Sequence, residues 1–263
     1  MNAQQLTEDA LAVEDTHGEI RTPRPAMDGT ELLRVERLSK SFYGFKALHE
    51  VSFDLRERDI LGIIGPNGAG KTTLLECLVG LLPVNSGEVF WKNQPLTNSG
   101  RKDVMFYLPE NIVPYQEQPA SRLTGFFRDI YDLSHERERD VLVRLQLEKV
   151  LTRRIGKLSR GYRRRLLLAL ALLTPKPLLF LDEPFDGLDP RQTVEVANLL
   201  REESVSGRTL VLSIHQLADA ARICNRFLLL AEGKVVGCGT MEELQRQGSV
   251  ESTNLEAIFF ALT

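Results

Sequence analysis

Residues 65–72 read GPNGAGKT, a G-x-x-x-x-G-K-[ST] pattern, and the residue types in it suit the surrounding of a polyphosphate. Backbone N–H groups can crowd an anion only where no Cβ blocks the approach, and Gly65, Gly68 and Gly70 remove that obstruction. Pro66, Asn67, Ala69 and the following Thr73 belong to the same phosphate-binding stretch. Lys71 can reach β- and γ-phosphates, and Thr72 can place its hydroxyl on Mg²⁺. A helix beginning there would aim the positive end of its dipole at the anion. A purine nucleotide is therefore the first ligand to consider, against the plainer reading of a glycine-rich turn that binds nothing.

Two further groups could do related chemistry. The apolar run 178–181 (LLFL) ends in Asp182-Glu183, so on a buried strand both carboxylates would emerge at the carboxyl edge, where ligands of such sheets bind. Asp182 could hold Mg²⁺ through its water shell, and Glu183 could polarise the water that attacks a γ-phosphate. An acidic strand end that merely caps the next helix is the alternative. Residues 158–162 (LSRGY) open the apolar stretch RRRLLLALALL, which makes the Ser159 hydroxyl and nearby N–H groups another helix-start anion site.

These residues need elements to position them. The almost wholly apolar run 60–64 (ILGII) suits a buried parallel strand feeding the glycine loop. Beyond the loop, Leu74, Leu75, Leu78, Leu81 and Leu82 recur at helical spacing, with Pro83 as the expected stop. Runs 178–181, 210–214 and 227–230 read as further buried strands, and the helical stretches between them imply crossovers in a parallel sheet. Before the loop, alternation over 32–54 predicts a small antiparallel sheet turning near Gly44. Between the two α/β portions the pattern turns helical. Leu123, Phe126, Phe127, Ile130 and Tyr131 share one face, and Val141, Leu142, Leu145 and Leu151 suggest a second amphipathic helix whose HERERD run is its solvated side.

Composition narrows the classes. A chain of 263 residues with 43% hydrophobic content can bury a full-sized core. A formal net charge of -3 argues against a polyanion-binding protein dominated by electrostatics. Cys77, Cys224 and Cys238 have no metal or redox spacing and suit a reducing compartment. The longest apolar run, 166–173, is well short of the roughly 20 residues of a membrane span. Residues 1–30, with Glu8, Asp9, Glu14, Asp15, Glu19 and Asp28, read as a mobile acidic tail rather than a secretory signal.

Phosphate loop, LSxG, the acidic strand FLDEP, then Asp186-Gly187-Leu188-Asp189 and a His after the next strand (LVLSIH, His215), in that order, are similar to the ATP-binding cassette (ABC) ATPases. The resemblance covers about residues 32–239. It implies an α/β, P-loop NTPase core with a mostly parallel sheet, an N-terminal antiparallel β subdomain and an inserted helical subdomain at about 115–173, all within 31–263. It also implies ATP and Mg²⁺ as ligands, His215 at the γ-phosphate, Asp189 at the contact between two subunits, and Phe42 stacked on adenine, with Tyr43 the alternative.

Two positions depart from the commonest family pattern. Glu110, in YLPE, stands where a Gln usually senses Mg²⁺ and the attacking water; it keeps an acceptor oxygen but loses the amide donor and adds charge. Tyr162 replaces the usual Gln after LSxG and leaves the Ser159 and Gly161 roles untouched.

In such ATPases the LSxG segment of one subunit closes on the phosphate loop of another, so a second ATPase subunit is implied, a homodimer before a heterodimer. The leading expectation is the ATPase subunit of a membrane transporter whose permease is a separate chain, cytoplasmic and held at the inner face of the membrane through that permease. YLPE and the ending LEAIFFALT (255–263) resemble exporters with ABC-2-type permeases; import is the runner-up. In that ending Leu255, Ile258, Phe259 and Leu262 form one stripe, which more often covers the subunit's own core. Arg160, Arg163, Arg164 and Arg165 are the only basic patch that could serve a nucleic-acid-directed member, and no nucleic-acid partner is expected. A degenerate cassette is disfavoured because Lys71, Asp182, Glu183 and His215 are all present.

Overall fold

Alternating side chains of one central sheet feed two separate cores. The computed structural model describes residues 30–252 and 254–263; the acidic tail expected at 1–30 lies outside the described residues except for Thr30. A six-stranded sheet has the order β10-β9-β3-β8-β7-β6. Its strands are β3 (Ile60–Ile64), β6 (Met105–Leu108), β7 (Leu178–Asp182), β8 (Thr209–Ile214), β9 (Arg226–Ala231) and β10 (Lys234–Gly239). All pairings are parallel except β10 with β9. In β3, β7 and β8 every residue is buried, which explains why their sequences read as unbroken apolar runs.

The two-residue period of a strand divides these residues between opposite faces. Leu179, Leu181, Leu210 and Leu212 join the core that includes most of α5 (Arg160–Leu173), while Leu178, Phe180, Val211 and Leu61 pack with α1 (Lys71–Val79) and the smaller sheet. That antiparallel sheet has the order β2-β1-β4-β5, built from β1 (Glu31–Phe42), β2 (Phe45–Arg56), β4 (Ser86–Trp91) and β5 (Gln94–Pro95). Tyr43 and Gly44, both at positive φ, make the two-residue β1–β2 turn, matching the right-handed twist of the flanking strands. The other helices are α2 (Asn98–Val104), α3 (Ala120–Ile130), α4 (His135–Arg144), α6 (Pro190–Val205), α7 (Leu217–Ile223), α8 (Met241–Gly248) and α9 (Leu255–Leu262). Among the described residues no helix is long and apolar enough to cross a membrane.

Several local expectations need correction. α1 stops at Val79, not at Pro83, because Gly80 adopts φ 81 and returns its N–H to the helix; Leu81 is left exposed. α4 ends at Arg144, so Leu151 lies beyond it, after a 3-10 turn at Glu148–Val150. HERERD is not uniformly solvated: Glu138 is 8% exposed, accepts from the Thr124 hydroxyl at 2.7 Å and pairs with Arg128 at 2.9 Å. The α3 stripe is only partly covered, since Phe126 and Ile130 are exposed. In α9, Leu255 and Ile258 are buried in the chain's own core, against α7 and α8. Strands β4, β6 and β10 lie outside the runs and alternations read above, although β6 falls in the short apolar run 104–108 (VMFYL).

Candidate functional site

β3, β6, β7 and β8 end together, since Ile64 pairs with Ile214, Leu108 with Leu181 and Asp182 with Ser213. The segments leaving these four strands therefore meet at one sheet edge. After β3 comes the glycine loop. A Cβ on Gly65 would lie 2.1 Å from the Leu230 carbonyl oxygen, and one on Gly70 2.9 Å from that of Ala47. Gly68 and Gly70 have φ of +84° and +103°, conformations that a side chain disfavours. Pro66 and Asn67 are exposed, whereas Ala69 is buried and its carbonyl accepts from Gly233 N–H at 3.0 Å.

Gly70 is the N-cap of α1, and no side chain caps that helix start. The first N–H groups of α1, those of Lys71, Thr72 and Thr73, are thus available to an outside acceptor, at the positive end of the helix. Lys71 is buried, with its ammonium donating to the carbonyls of Gly65 at 2.8 Å and Pro66 at 3.3 Å. A bare backbone cradle with a cation at its centre fits a polyphosphate.

After β7, the two carboxylates separate as their chemistry requires. Asp182 is 2% exposed and accepts from Thr72 Oγ1 at 3.0 Å, Tyr107 Oη at 3.3 Å and Ser213 Oγ. The Thr72 hydroxyl and a buried carboxylate side by side fit a hard divalent cation such as Mg²⁺, which takes oxygen ligands. Burial and the Asp182 charge push the Tyr107 phenol well above its ordinary range, so it remains a donor. The same two influences raise the Glu76 carboxyl, which faces Asp182 from α1.

Glu183 points elsewhere. Its backbone is left-handed, with φ 48, and its N–H donates to Ser213 Oγ at 3.0 Å. One carboxylate oxygen lies 2.6 Å from His215 Nδ1, just past the end of β8. Burial raises the Glu183 carboxyl, and the His215 hydrogen bond and charge and the Lys71 charge act in the opposite direction. A carboxylate made more basic in this way is a better proton acceptor.

The LSRGY segment forms another constellation. Ser159 is the N-cap of α5 and accepts from Tyr162 N–H at 3.3 Å. A Cβ on Gly161 would meet Gln192 Oε1 at 2.9 Å and the Gly187 carbonyl at 3.2 Å, so glycine lets the segment pack on residues 186–192. Arg160 pairs there with Asp186, and the exposed Asp189 caps α6 by accepting from Gln192 N–H at 2.9 Å. Among the described residues no hydrogen bond joins Ser159, Gly161 or Asp189 to the glycine loop. Phe42, 36% exposed at the end of β1, has the Lys40 ammonium 4.8 Å from its ring centroid, while Tyr43 is fully exposed. Glu110 is exposed at the turn after β6, and its carbonyl accepts from Arg164 at 3.4 Å.

The arginine cluster is not a surface patch. Arg164 and Arg165 are buried, and burial lowers the Arg164 pKa. Sequence reasoning missed Arg164 as a neighbour of the site, although helical spacing places it on one face with Leu167, Leu168 and Ala171, all buried.

Residues 48–186 match a family model described as "ABC transporter". The chain is 30% identical over 238 residues to the ABC-type transporter ATP-binding protein EcsA of Bacillus subtilis, covering 88% of this chain and 96% of that protein. It is also 30% identical over 232 residues to a fluoroquinolones export ATP-binding protein of Mycobacterium tuberculosis, covering 86% of this chain and 76% of the relative. A solved ATP-binding subunit of an ABC transporter superposes with a TM-score of 0.80 at 28% identity, covering 88% of this chain and 99% of that one.

Proposed function

This chain belongs to the ABC transporter family as an ATP-binding, ATP-hydrolysing subunit that works with membrane permease components, and we propose that it powers export as a head-to-tail pair of copies held at the cytoplasmic face by a separate permease. The observation that carries the proposal is the division of its chemistry. Lys71, Thr72, Asp182, Glu183 and His215 converge at one sheet edge, whereas Ser159 and Gly161 form a separate helix start with no hydrogen bond to that edge among the described residues.

In this reading the loop 65–73 binds the triphosphate through its N–H groups, Lys71 neutralises the β- and γ-phosphates, and Phe42 stacks on adenine. Thr72, Asp182 and Glu110 would hold Mg²⁺, which when bound would offset charge on the phosphates. Glu183 accepts the proton of the attacking water, and His215 orients that carboxylate and faces the γ-phosphate. Ser159 and Gly161 of the second copy complete the site, with Asp189 at the contact between copies. Closure and reopening of the pair is then the event passed to the permease.

Residues 31–263 act as one ATPase domain, with 115–173 as the lobe that meets the permease. Exposed apolar Ile112, Val113, Tyr115, Phe126 and Ile130 on and beside that lobe support the assignment. Export rests on the YLPE segment, the ending 255–263 and the export role named for the Mycobacterium relative.

Glu183→Gln tests the mechanism. ATP turnover should fall by about 10²–10⁴-fold while ATP binding persists and a dimer accumulates with ATP in light scattering. Undiminished turnover removes Glu183 as the base. Transport into inverted vesicles carrying the co-purified permease tests direction, and ATP-driven efflux of cargo from those vesicles would replace export with import.

A further inference from the structure

The buried Arg164 guanidinium lies behind the catalytic turn rather than in it. It donates to four backbone carbonyls: that of Asp182, that of Glu183 at 2.5 Å, that of Pro184 at 3.2 Å and that of Glu110 at 3.4 Å. Three of these belong to consecutive residues around Glu183, whose φ of 48 is unusual for a residue with a side chain. Such a conformation persists where its surroundings over-determine it. Here Ser213 Oγ fixes the Glu183 N–H from one side and Arg164 fixes the carbonyls from the other. A planar guanidinium with five donors can span several acceptors at once, which a lysine ammonium on a flexible stem does far less well.

The next residue on α5 does a different task. Arg165 donates to the Leu145 carbonyl at 3.1 Å and lies 4.4 Å from the Tyr162 ring centroid, so it holds α5 to the end of α4. Side chains one residue apart on a helix point about 100° apart, which sends Arg164 to the sheet edge and Arg165 to the lobe. One 14-residue helix, capped by Ser159, thus joins the LSRGY segment, the lobe, the Glu110 turn and the Glu183 turn.

We propose that Arg164 is a positioning residue for ATP hydrolysis: by holding the carbonyls of residues 182–184 and of Glu110 together, it fixes the backbone from which the Glu183 carboxylate reaches the attacking water. The proposal rests on Glu183 being the base. It also gives α5 a role inside its own subunit's catalytic site, besides the role of its N-terminus in the second copy's site.

Arg164→Lys keeps the charge and loses the fork, and Arg164→Gln loses both. For each, kcat for ATP should fall by about 10–100-fold, the scale of a small misplacement of a reacting group, while Kd for a fluorescent ATP analogue stays within about twofold; lysine should retain more activity than glutamine. In a Glu183→Gln background, Arg164→Lys should not lower the residual turnover further, because the carboxylate it positions is gone. Unchanged kcat in both single variants overturns the proposal. So do additive losses in the double variant, a loss of nucleotide binding in step with kcat, or failure of both variants to fold, each of which makes Arg164 a structural residue only. If Glu183→Gln alone leaves turnover intact, the base assignment fails instead, and the two failures are distinct.

Discussion

Two helices of this chain begin at candidate anion sites, and they are built in opposite ways. α1 opens from backbone alone: Gly70 is its N-cap in a left-handed conformation, no side chain occupies the helix start, and the Lys71 ammonium sits against the loop that precedes it. α5 opens from a side chain: Ser159 Oγ already accepts from Tyr162 N–H, and Arg160 of the same segment is engaged with Asp186. One start is arranged for a ligand before any ligand arrives. The other is satisfied within its own subunit, yet its serine can still donate its hydroxyl proton outward. In the proposed reading, α1 supplies binding and α5 supplies completion, and a chain with one of each would make a whole site by pairing with another copy.

The largest effect that could break this comparison is on nucleotide affinity. Lys71→Ala should cost about 2–5 kcal/mol of ATP binding, the range for truncating one member of a buried charged hydrogen-bonded pair. Ser159→Ala should leave the affinity of the isolated subunit within about twofold. Titration with a fluorescent nucleotide at a protein concentration that keeps the chain monomeric decides it. Equal losses in the two variants would mean that α5 already belongs to the binding site of its own subunit.

Turnover should reverse that pattern. In the proposed pair Ser159→Ala would remove a donor to the triphosphate of the second copy, and loss of one such preorganised donor lowers kcat by about 100-fold. Steady-state hydrolysis at saturating ATP measures it. A Ser159→Ala enzyme with full kcat would end the idea that α5 completes the site.

The same physics decides which positions are legible in the sequence. The glycine loop, the acidic strand end and LSRGY are visible because their chemistry demands particular residue types at fixed spacing. β3, β7 and β8 are visible because burial on both faces leaves an apolar run. β6 leaves only the five-residue apolar run 104–108 (VMFYL), which starts on the last residue of α2 and is too short to tell from a helix end; β10, with two glycines and an edge position, carries little pattern. Pro83 is a strong breaker and draws the expected end of α1 to itself, but Gly80 offers a C-cap three residues earlier. Arg164 and Glu138 resemble solvated charges in the sequence because charge is usually exposed; only three-dimensional packing reveals the carbonyls and the Thr124–Arg128 pair that satisfy them.

A backbone-built start should also be dearer to alter than a side-chain-built one. At Gly70, alanine would face φ +103° and a Cβ 2.9 Å from the Ala47 carbonyl oxygen. Gly70→Ala is expected to lower unfolding stability by about 1–3 kcal/mol, against about 1 kcal/mol for the lost cap in Ser159→Ala. Urea unfolding of the two variants compares them directly, and a costlier Ser159→Ala would reverse the assignment of which start the fold depends on.

The smallest effect concerns the Arg160–Asp186 pair, where the second helix start touches the loop leading to Asp189. The Arg160 side chain is 73% exposed and that of Asp186 33%, so solvent screens the attraction and a double-mutant cycle of Arg160→Ala and Asp186→Ala should give a coupling below about 1 kcal/mol in stability. Weak coupling is informative here. In the proposed pair the LSRGY segment would open toward another subunit and would gain nothing from being locked to its own, whereas the α1 loop is held by Lys71 and by the Gly233 N–H. A coupling of several kcal/mol would mean that LSRGY is clamped as firmly as the phosphate loop, and the contrast between a prepared start and a movable one would no longer hold.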